Sequence, residues 1–214
     1  MLFRSDPVKV VIKNLPEDEE ISIDAQNHPK DESFGTRKLK LTREIFIEST
    51  DFEEDPPKKF FRLSVGKSVR LRYGFVINCT SIEKDKNGNI TTIYCDYIPG
   101  TLNGVNPEGQ KIKGIIHWVS ASENVKLKVN LIDRLFNIAE PNREDDFLKA
   151  LNPRSLIEMK NAIGETNLIK FVSQTVQFER LGYFTVENET IGSDRLVYNR
   201  TITLRDSWGK MNEK

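Results

Sequence analysis

The sequence predicts an all-β protein built from many short antiparallel strands. Three observations predict it. Apolar residues recur at every second position, turns rich in Gly, Asn and Pro punctuate those runs, and only two short windows read as helix. Strands of this length build barrels or sandwiches. A hinge near residues 104–124 divides the 214 residues into two strand-rich halves, each of ordinary domain size.

The elements follow in order. Val8, Val10 and Ile12 alternate with Lys9, Val11 and Lys13 and predict a half-buried strand. Leu39, Leu41, Ile45 and Ile47 share one parity and predict another. The clearest run is Val69, Leu71, Tyr73, Phe75 and Ile77, which would send Arg70 and Arg72 to the opposite face. Lys86-Asn87-Gly88-Asn89 predicts a tight hairpin turn, with positive φ at both central positions, joining residues 76–83 to 90–97. Pro99-Gly100 and Asn106-Pro107-Glu108-Gly109 are loops. Val125, Leu127, Val129 and Leu131 predict a strand in the second half. Short helices are expected at 144–151, stopped by Asn152-Pro153, and at 167–173, capped by Thr166. Val176, Phe178 and Phe184 share a parity on which Arg180 also falls. Either a bulge at 180–182 re-aims Arg180 or it is buried beside Glu179 or another acid, and the bulge is the better expectation.

Composition narrows the function. No apolar run approaches the roughly 18 residues that a membrane-spanning helix needs, and charges precede any apolar stretch at the start, unlike a signal peptide. Cys79 and Cys95 lack ligand partners at metal spacing and read as reduced, buried thiols in a cytoplasmic protein. His28 lies in a polar loop, and His117 beside Trp118 reads as structural. There is no glycine-rich phosphate loop, nucleophile elbow or paired metal-ligand motif. This stretch by itself is therefore not expected to catalyse, and no cofactor or metal is expected in it.

What remains is binding chemistry. The chain carries 32 basic and 32 acidic residues, but they are segregated. Acid collects at 16–20, 51–55 and 143–146. Base collects at Lys58, Lys59, Arg62, Lys67, Arg70 and Arg72 with no acid among them. A solvated charged face is the plain reading of such a run, and a nucleic-acid surface is the functional one. Arginines two residues apart on a strand lie roughly 7 Å apart, close to the spacing of successive phosphates. Guanidinium groups grip phosphate bidentately or read the O6/N7 edge of guanine. Gln177 offers both a donor and an acceptor to a base edge.

Three segments carry a resemblance: Gly114-Ile115-Ile116-His117-Trp118-Val119-Ser120, Asp133-Arg134-Leu135-Phe136 and Gln177-Phe178-Glu179-Arg180. With Asn27-His28-Pro29, the segments at 66–72 and 88–93, and Asn199-Arg200-Thr201, the chain resembles the C-terminal anticodon-binding part of the glutaminyl-tRNA synthetase family from Asp6 to Trp208. The resemblance implies two tandem antiparallel β-barrels, similar to the fold of a large-subunit ribosomal protein, with a few short helices. It implies a linker remnant at 1–5, a first barrel at 6–115, a second at 116–208 whose last strand packs back on the first, and a frayed tail at 209–214.

The implied partner is the anticodon loop of tRNA(Gln), CUG or UUG, with its bases splayed into separate pockets. The catalytic N-terminal part of the same enzyme is the other partner. By position, Arg62 would face the third anticodon base, a guanine, and Gln177 the second, a uracil, with Arg180 and Arg205 nearby. Arg70 and Arg72 would serve the first base and adjoining phosphates. Lys59, Phe61 and Lys30 stand where the family carries Gln, Lys and Asn, so Lys59 adds charge and Phe61 offers a stacking face in place of a donor. The parent enzyme is expected to be an ATP-dependent ligase that uses ATP and magnesium in its catalytic part, a cytoplasmic monomer, and Met1 is expected to mark a fragment boundary. Two alternatives differ in class or partner: the related region of an archaeal or eukaryotic-type glutamyl-tRNA synthetase, and a stand-alone rRNA-binding ribosomal factor. The stretch Gln177–Arg180 argues against the first, and zero net charge against the second.

Overall fold

The computed structural model describes residues 1–143 and 145–204, and its chain divides into two units. One comprises Leu2–Val125 together with Ile163–Asn167, and the other Met1, Lys126–Ala162 and the chain from Leu168 onward.

The first unit carries β1 (Phe3–Arg4), β2 (Pro7–Ile12), β3 (Ile21–Gln26), β4 (Thr36–Leu41), β5 (Glu44–Glu48), β6 (Ser68–Leu71), β7 (Val76–Lys84), β8 (Ile90–Ile98), β9 (Ile115–Ile116) and β10 (Trp118–Ser120). Seven of these form a nearly closed barrel in the order β10-β5-β2-β8-β7-β6-β9. Its two edge strands are consecutive in sequence, with only His117 between them. The chain itself therefore bridges the two sheet edges, and buried His117 is the link. Most pairings are antiparallel, while β2–β8 and β6–β9 run parallel. Val10, Ile12, Ile45, Ile47, Val69, Ile77, Ile93 and Trp118 fill the interior, and the β3–β4 hairpin adds Ile23, Ala25, Leu39 and Leu41 to the same core.

The run at 69–77 is a hairpin rather than one strand. Val69 pairs across with Ile77 and Arg70 with Val76, while Leu71 N donates to Phe75 O at 2.9 Å around a turn with Tyr73 at φ 64°. A symmetrical apolar parity reads the same whether the strand continues or folds back on itself. The β7–β8 turn also differs from the tight type expected. Gly88 has a positive φ of 85° and Asn87 does not, and the Asp85 carboxylate closes the loop by accepting from Asn87 N and Asn89 N, each at 2.8 Å.

Residues 1–5 belong to the fold, in contrast to the linker remnant expected. Leu2 and Phe3 are buried, and β1 pairs with residues 163–164. The strands at 115–120 pair in the first unit's barrel, so the boundary expected at 115 falls ten residues later.

The second unit is a curled half-barrel sheet of β11 (Asn124–Ile132), β12 (Leu156–Glu165), β13 (Val176–Phe178), β14 (Gly182–Val186) and β15 (Leu196–Ile202), in the order β12-β11-β15-β14-β13. Its core includes Leu127, Val129, Phe178, Phe184 and Tyr198, with the Phe178 ring 4.7 Å from Phe184 and 5.3 Å from Tyr198. The last described strand, β15, stays with β11 and β14 in this unit. The end of β12, not the last strand, supplies the pairing with β1. Both expected helices are single 3-10 segments, Phe147–Ala150 and Thr166–Phe171, too short to complete α-helical ladders. Among the described residues no helix is long and apolar enough to cross a membrane.

Candidate nucleic-acid interface

Three of the expected residues meet in one groove of the first unit. Lys59, Phe61 and Arg62 line it, in a volume of about 370 Å³, a size typical of ligand sites. Pro56, Pro57, Phe60, Ser64, Lys67, Ser68, Lys111, Ile112, Lys113 and Gly114 complete the wall. Five cations thus converge, and among the described residues no carboxylate lines the groove.

Its shape follows from the backbone. Pro56-Pro57 starts a turn in which Phe60 N donates to Pro57 O at 3.1 Å, and Lys59 takes a φ of 72°. Parallel pairing of β9 with β6 brings residues 111–114 alongside. The approach is close enough to need glycine, because a Cβ on Gly114 would lie 1.9 Å from the Phe61 carbonyl oxygen. Phe61 is 52% exposed, and Lys113 Nζ stands 5.4 Å from its ring centroid. A flat, solvated aromatic beside cations suits a nucleobase whose phosphates lie near lysines. Lys111 and Lys113 were not among the residues expected at the site. The signal was present, since no acid occurs between Glu108 and Glu123, but a stretch read as hinge hid it.

Arg62 reaches into this groove from a fixed base. Its Nη1 donates to Thr50 O at 2.7 Å, and its Nε lies 3.4 Å from Asp51 Oδ1.

Arg70 and Arg72 lie elsewhere, beside a pocket of about 280 Å³ lined also by Asp24, Tyr73, Gly74, Asn103, Gly104 and Ile115. Arg70 is buried, in contrast to the phosphate-facing position expected. Its guanidinium donates to the Thr101 carbonyl, to Val105 O at 2.6 Å and to Asn106 Oδ1 at 3.3 Å. Burial lowers its pKa from the ordinary arginine value. This side chain stitches the 101–106 loop to the barrel. Arg72 is half-buried, with its guanidinium 4.6 Å from the Tyr73 ring centroid, so it can join an aromatic–cation stack at the pocket.

In the second unit Gln177 sits half-buried on β13, opposite Tyr183, and its main-chain oxygen accepts from the Met1 ammonium at 2.9 Å. Arg180 is exposed at the tip of the β13–β14 turn, where Leu181 N donates to Phe178 O at 3.0 Å and Arg180 has φ 71°. The re-aiming expected of a bulge is thus done by a hairpin turn, and the register shift falls at Tyr183/Phe184 instead. Arg205, residues 205–208 of the expected second barrel and the 209–214 tail lie outside the described residues, as does Glu144.

Backbone strain marks the same places. The described non-glycine residues at positive φ are Lys59, Tyr73, Asn103 and Arg180. The first lines the cationic groove, the next two line the Arg70–Arg72 pocket, and the last is an expected RNA contact. Strained conformations of this kind concentrate at functional sites.

Neither histidine lines the groove. His28 Nδ1 accepts from Asp31 N at 2.9 Å within its own loop. Cys79 and Cys95 are free, buried and paired across β7 and β8. Among the described residues no group of three or more His, Cys, Asp or Glu side chains is placed to hold a metal ion.

Comparison with known proteins agrees with the geometry. The family described as tRNA synthetases class I (E and Q), anti-codon binding domain, matches residues 1–98 and again residues 115–187. Glutamine–tRNA ligase of Photobacterium profundum is 47% identical over 209 residues, covering 97% of this chain and 37% of that protein. The Proteus mirabilis ligase is 44% identical, covering 98% of this chain and 37% of that protein. The Alteromonas mediterranea ligase is 45% identical, covering 97% of this chain and 38% of that protein. The chain thus spans less than two-fifths of the length of these relatives.

Proposed function

The chain belongs to the anticodon-binding family of class I (E and Q) tRNA synthetases, in its glutamine branch, and from that premise we propose that it grips the anticodon loop of tRNA(Gln). The observation that carries the proposal is the carboxylate-free groove in which Lys59, Phe61, Arg62, Lys67, Lys111 and Lys113 converge. Proteins read RNA sequence in loops whose bases splay outward, where an aromatic face takes a base and an arginine reads its edge. In this reading Arg62 donates to the third anticodon base, a guanine, Phe61 provides a stacking face beside it, and the lysines take the phosphates. Arg72 with Tyr73 receives a second base. Gln177 and Arg180 take a third, with Arg205 as their expected neighbour.

The whole protein is then a glutamine–tRNA ligase. A catalytic part outside these residues would hold ATP and magnesium and join glutamine to the tRNA, with a cytoplasmic monomer as the working form. The deciding experiment is binding of the chain to anticodon stem-loops carrying CUG, CUC or a scrambled loop, at several salt concentrations. Preference for CUG with affinity falling as salt rises is the expected result. Preference for CUC moves the assignment to the glutamate branch. Equal binding of all three removes anticodon reading, and a flat salt dependence removes the lysine–phosphate contacts.

A further inference from the structure

Arg62 is not a free surface arginine. The chain beside it is pinned to the segment carrying Asp51: Leu63 N donates to Asp51 O at 3.0 Å, Glu53 N donates to Leu63 O at 3.1 Å, and Phe52 and Leu63 form a parallel bridge. This ladder lays the Arg62 side chain over Thr50 and Asp51. The Asp51 side chain is 6% exposed, whereas that of Arg62 is 43% exposed. The carboxylate is shared: Arg4 Nη1, on a side chain 7% exposed, lies 3.5 Å from Asp51 Oδ2, while Arg62 Nε lies 3.4 Å from Oδ1. Glu48 accepts from Ser5 N at 2.9 Å and Asp6 N at 2.7 Å and also lies 3.9 Å from Arg4 Nη1, so Arg4 sits between the two carboxylates and closer to Asp51.

We propose that Asp51 is the positioning residue for Arg62, holding the inner edge of its guanidinium so that the outer end is presented to a guanine in the groove. The proposal rests on the anticodon-reading role given to Arg62 above. A guanidinium has five N–H donors. One Nη1 donor goes to Thr50 O and Nε faces Asp51, so both Nη2 hydrogens and the second Nη1 hydrogen are left for a ligand. Recognition of guanine needs two such donors, for its O6 and N7 acceptors. An exposed arginine otherwise loses the freedom of its long side chain when it takes a base. Fixing its inner edge beforehand removes that cost from binding. Because Arg4 also holds Asp51, the carboxylate cannot swing into the groove with Arg62 and compete with the base.

The test is a double-mutant cycle on binding of stem-loops with guanine or adenine at the third anticodon position. Asp51→Asn keeps the shape but removes the charge that two guanidinium groups share. The wild-type chain should prefer guanine, and Arg62→Ala should erase that preference. Asp51→Asn should reduce the preference by about ten-fold, within the range of one well-placed base contact, while affinity for the adenine loop changes less than about two-fold. In the Arg62→Ala background, Asp51→Asn should remove no further discrimination. Arg4→Met releases the other side of the carboxylate and should lower the guanine preference, though less than Asp51→Asn does. A wild-type chain without guanine preference overturns the reading of Arg62 itself. A wild-type preference that Asp51→Asn leaves intact, or that falls further in the Arg62→Ala background, overturns the positioning role alone. Tighter binding to both loops in Asp51→Asn would overturn it by making Asp51 a competitor for Arg62. Nitrogen-15 NMR of the unmodified, RNA-free chain keeps the proposal testable should Asp51→Asn fail to fold. The Arg62 Nε–H signal, assigned by its loss in Arg62→Lys, should exchange slowly with solvent, and exchange as fast as in free arginine overturns the proposal.

Discussion

Arg62 and Arg70 stand eight residues apart in one basic stretch, yet they do opposite work. Arg62 is exposed and lines a cationic groove. Arg70 is buried, and its guanidinium is spent on the Thr101 and Val105 carbonyls. Composition cannot separate them, because each is an arginine among lysines with no acid nearby. The backbone separates them. Residues 71–75 fold back in a turn, so β6 and β7 pair and Arg70 points at the loop that follows β8. Arg62 precedes the barrel strand on a segment held outside it, where its inner edge is fixed and its outer end is open to solvent. A basic cluster is therefore evidence of nucleic-acid binding only for those members whose donors the protein has not already consumed.

Substitution separates the two roles, and the largest expected effect belongs to the buried arginine. Arg70→Met removes charged donors from three oxygens of the 101–106 loop. It should cost about 3 kcal/mol of folding stability, since a buried bond to a charged group is worth roughly 1.5–3 kcal/mol and the deserted carbonyls stay desolvated. Arg62→Ala should cost less, about 1 kcal/mol, because the Arg62 side chain is itself largely exposed and Arg4 still faces the buried Asp51 carboxylate. Urea unfolding of the two variants checks this. Equal losses would break the comparison, and a stable Arg70→Met variant with a weakened salt dependence of RNA binding would return Arg70 to the phosphate-contacting role.

The second effect sharpens the groove. Lys111→Ala combined with Lys113→Ala removes two exposed cations without touching the core. Affinity should fall for every loop sequence alike, and the slope of log K against log salt should flatten by about 1.4, two phosphates at roughly 0.7 each for single-stranded RNA. Discrimination among anticodons should be unchanged. Loss of discrimination instead would mean that these lysines touch bases, or that they orient Phe61 through the Lys113–ring contact at 5.4 Å. Titrations at three or four salt concentrations distinguish the outcomes.

Much of the fold was legible in the sequence because period-two apolar patterns survive any pairing scheme. Val10, Ile12, Leu127 and Val129 are buried as their parity required. The pattern failed where parity is symmetrical under reversal: 69–77 reads as one strand and is a hairpin. It failed again at 111–120, where the glycine that permits close approach and the histidine that joins two sheet edges look like an ordinary apolar run. In the groove, Lys59 and Arg62 were legible as part of a local basic cluster, while Phe61 entered only through the family resemblance. Lys111 and Lys113 join them only through the parallel β6–β9 pairing, a long-range contact that no local pattern records. Asp51 was read as part of an acidic run, although its side chain is buried between two arginines.

The smallest effect bears on why Lys59 is a lysine. Its φ of 72° belongs to the region that glycine prefers, as at Gly66 nearby with the same angle. A side chain there costs about 1–2 kcal/mol, while glycine gives back roughly 0.5–1 kcal/mol through its greater freedom when unfolded. Lys59→Gly should therefore stabilise the chain by about 0.5–1 kcal/mol, readable as a small rise in Tm. It should also weaken RNA binding at low salt by one phosphate contact, about 0.7 in the slope. Arg62→Ala, in contrast, is expected to lose discrimination with a small loss of stability. Opposite signs in stability and affinity at Lys59 would show that the turn carries strain in order to keep a cation over the groove. If Lys59→Gly gained stability at no loss of binding, Lys59 would be only a solvated charge on a turn, and the groove would depend on the remaining lysines with Arg62 and Phe61.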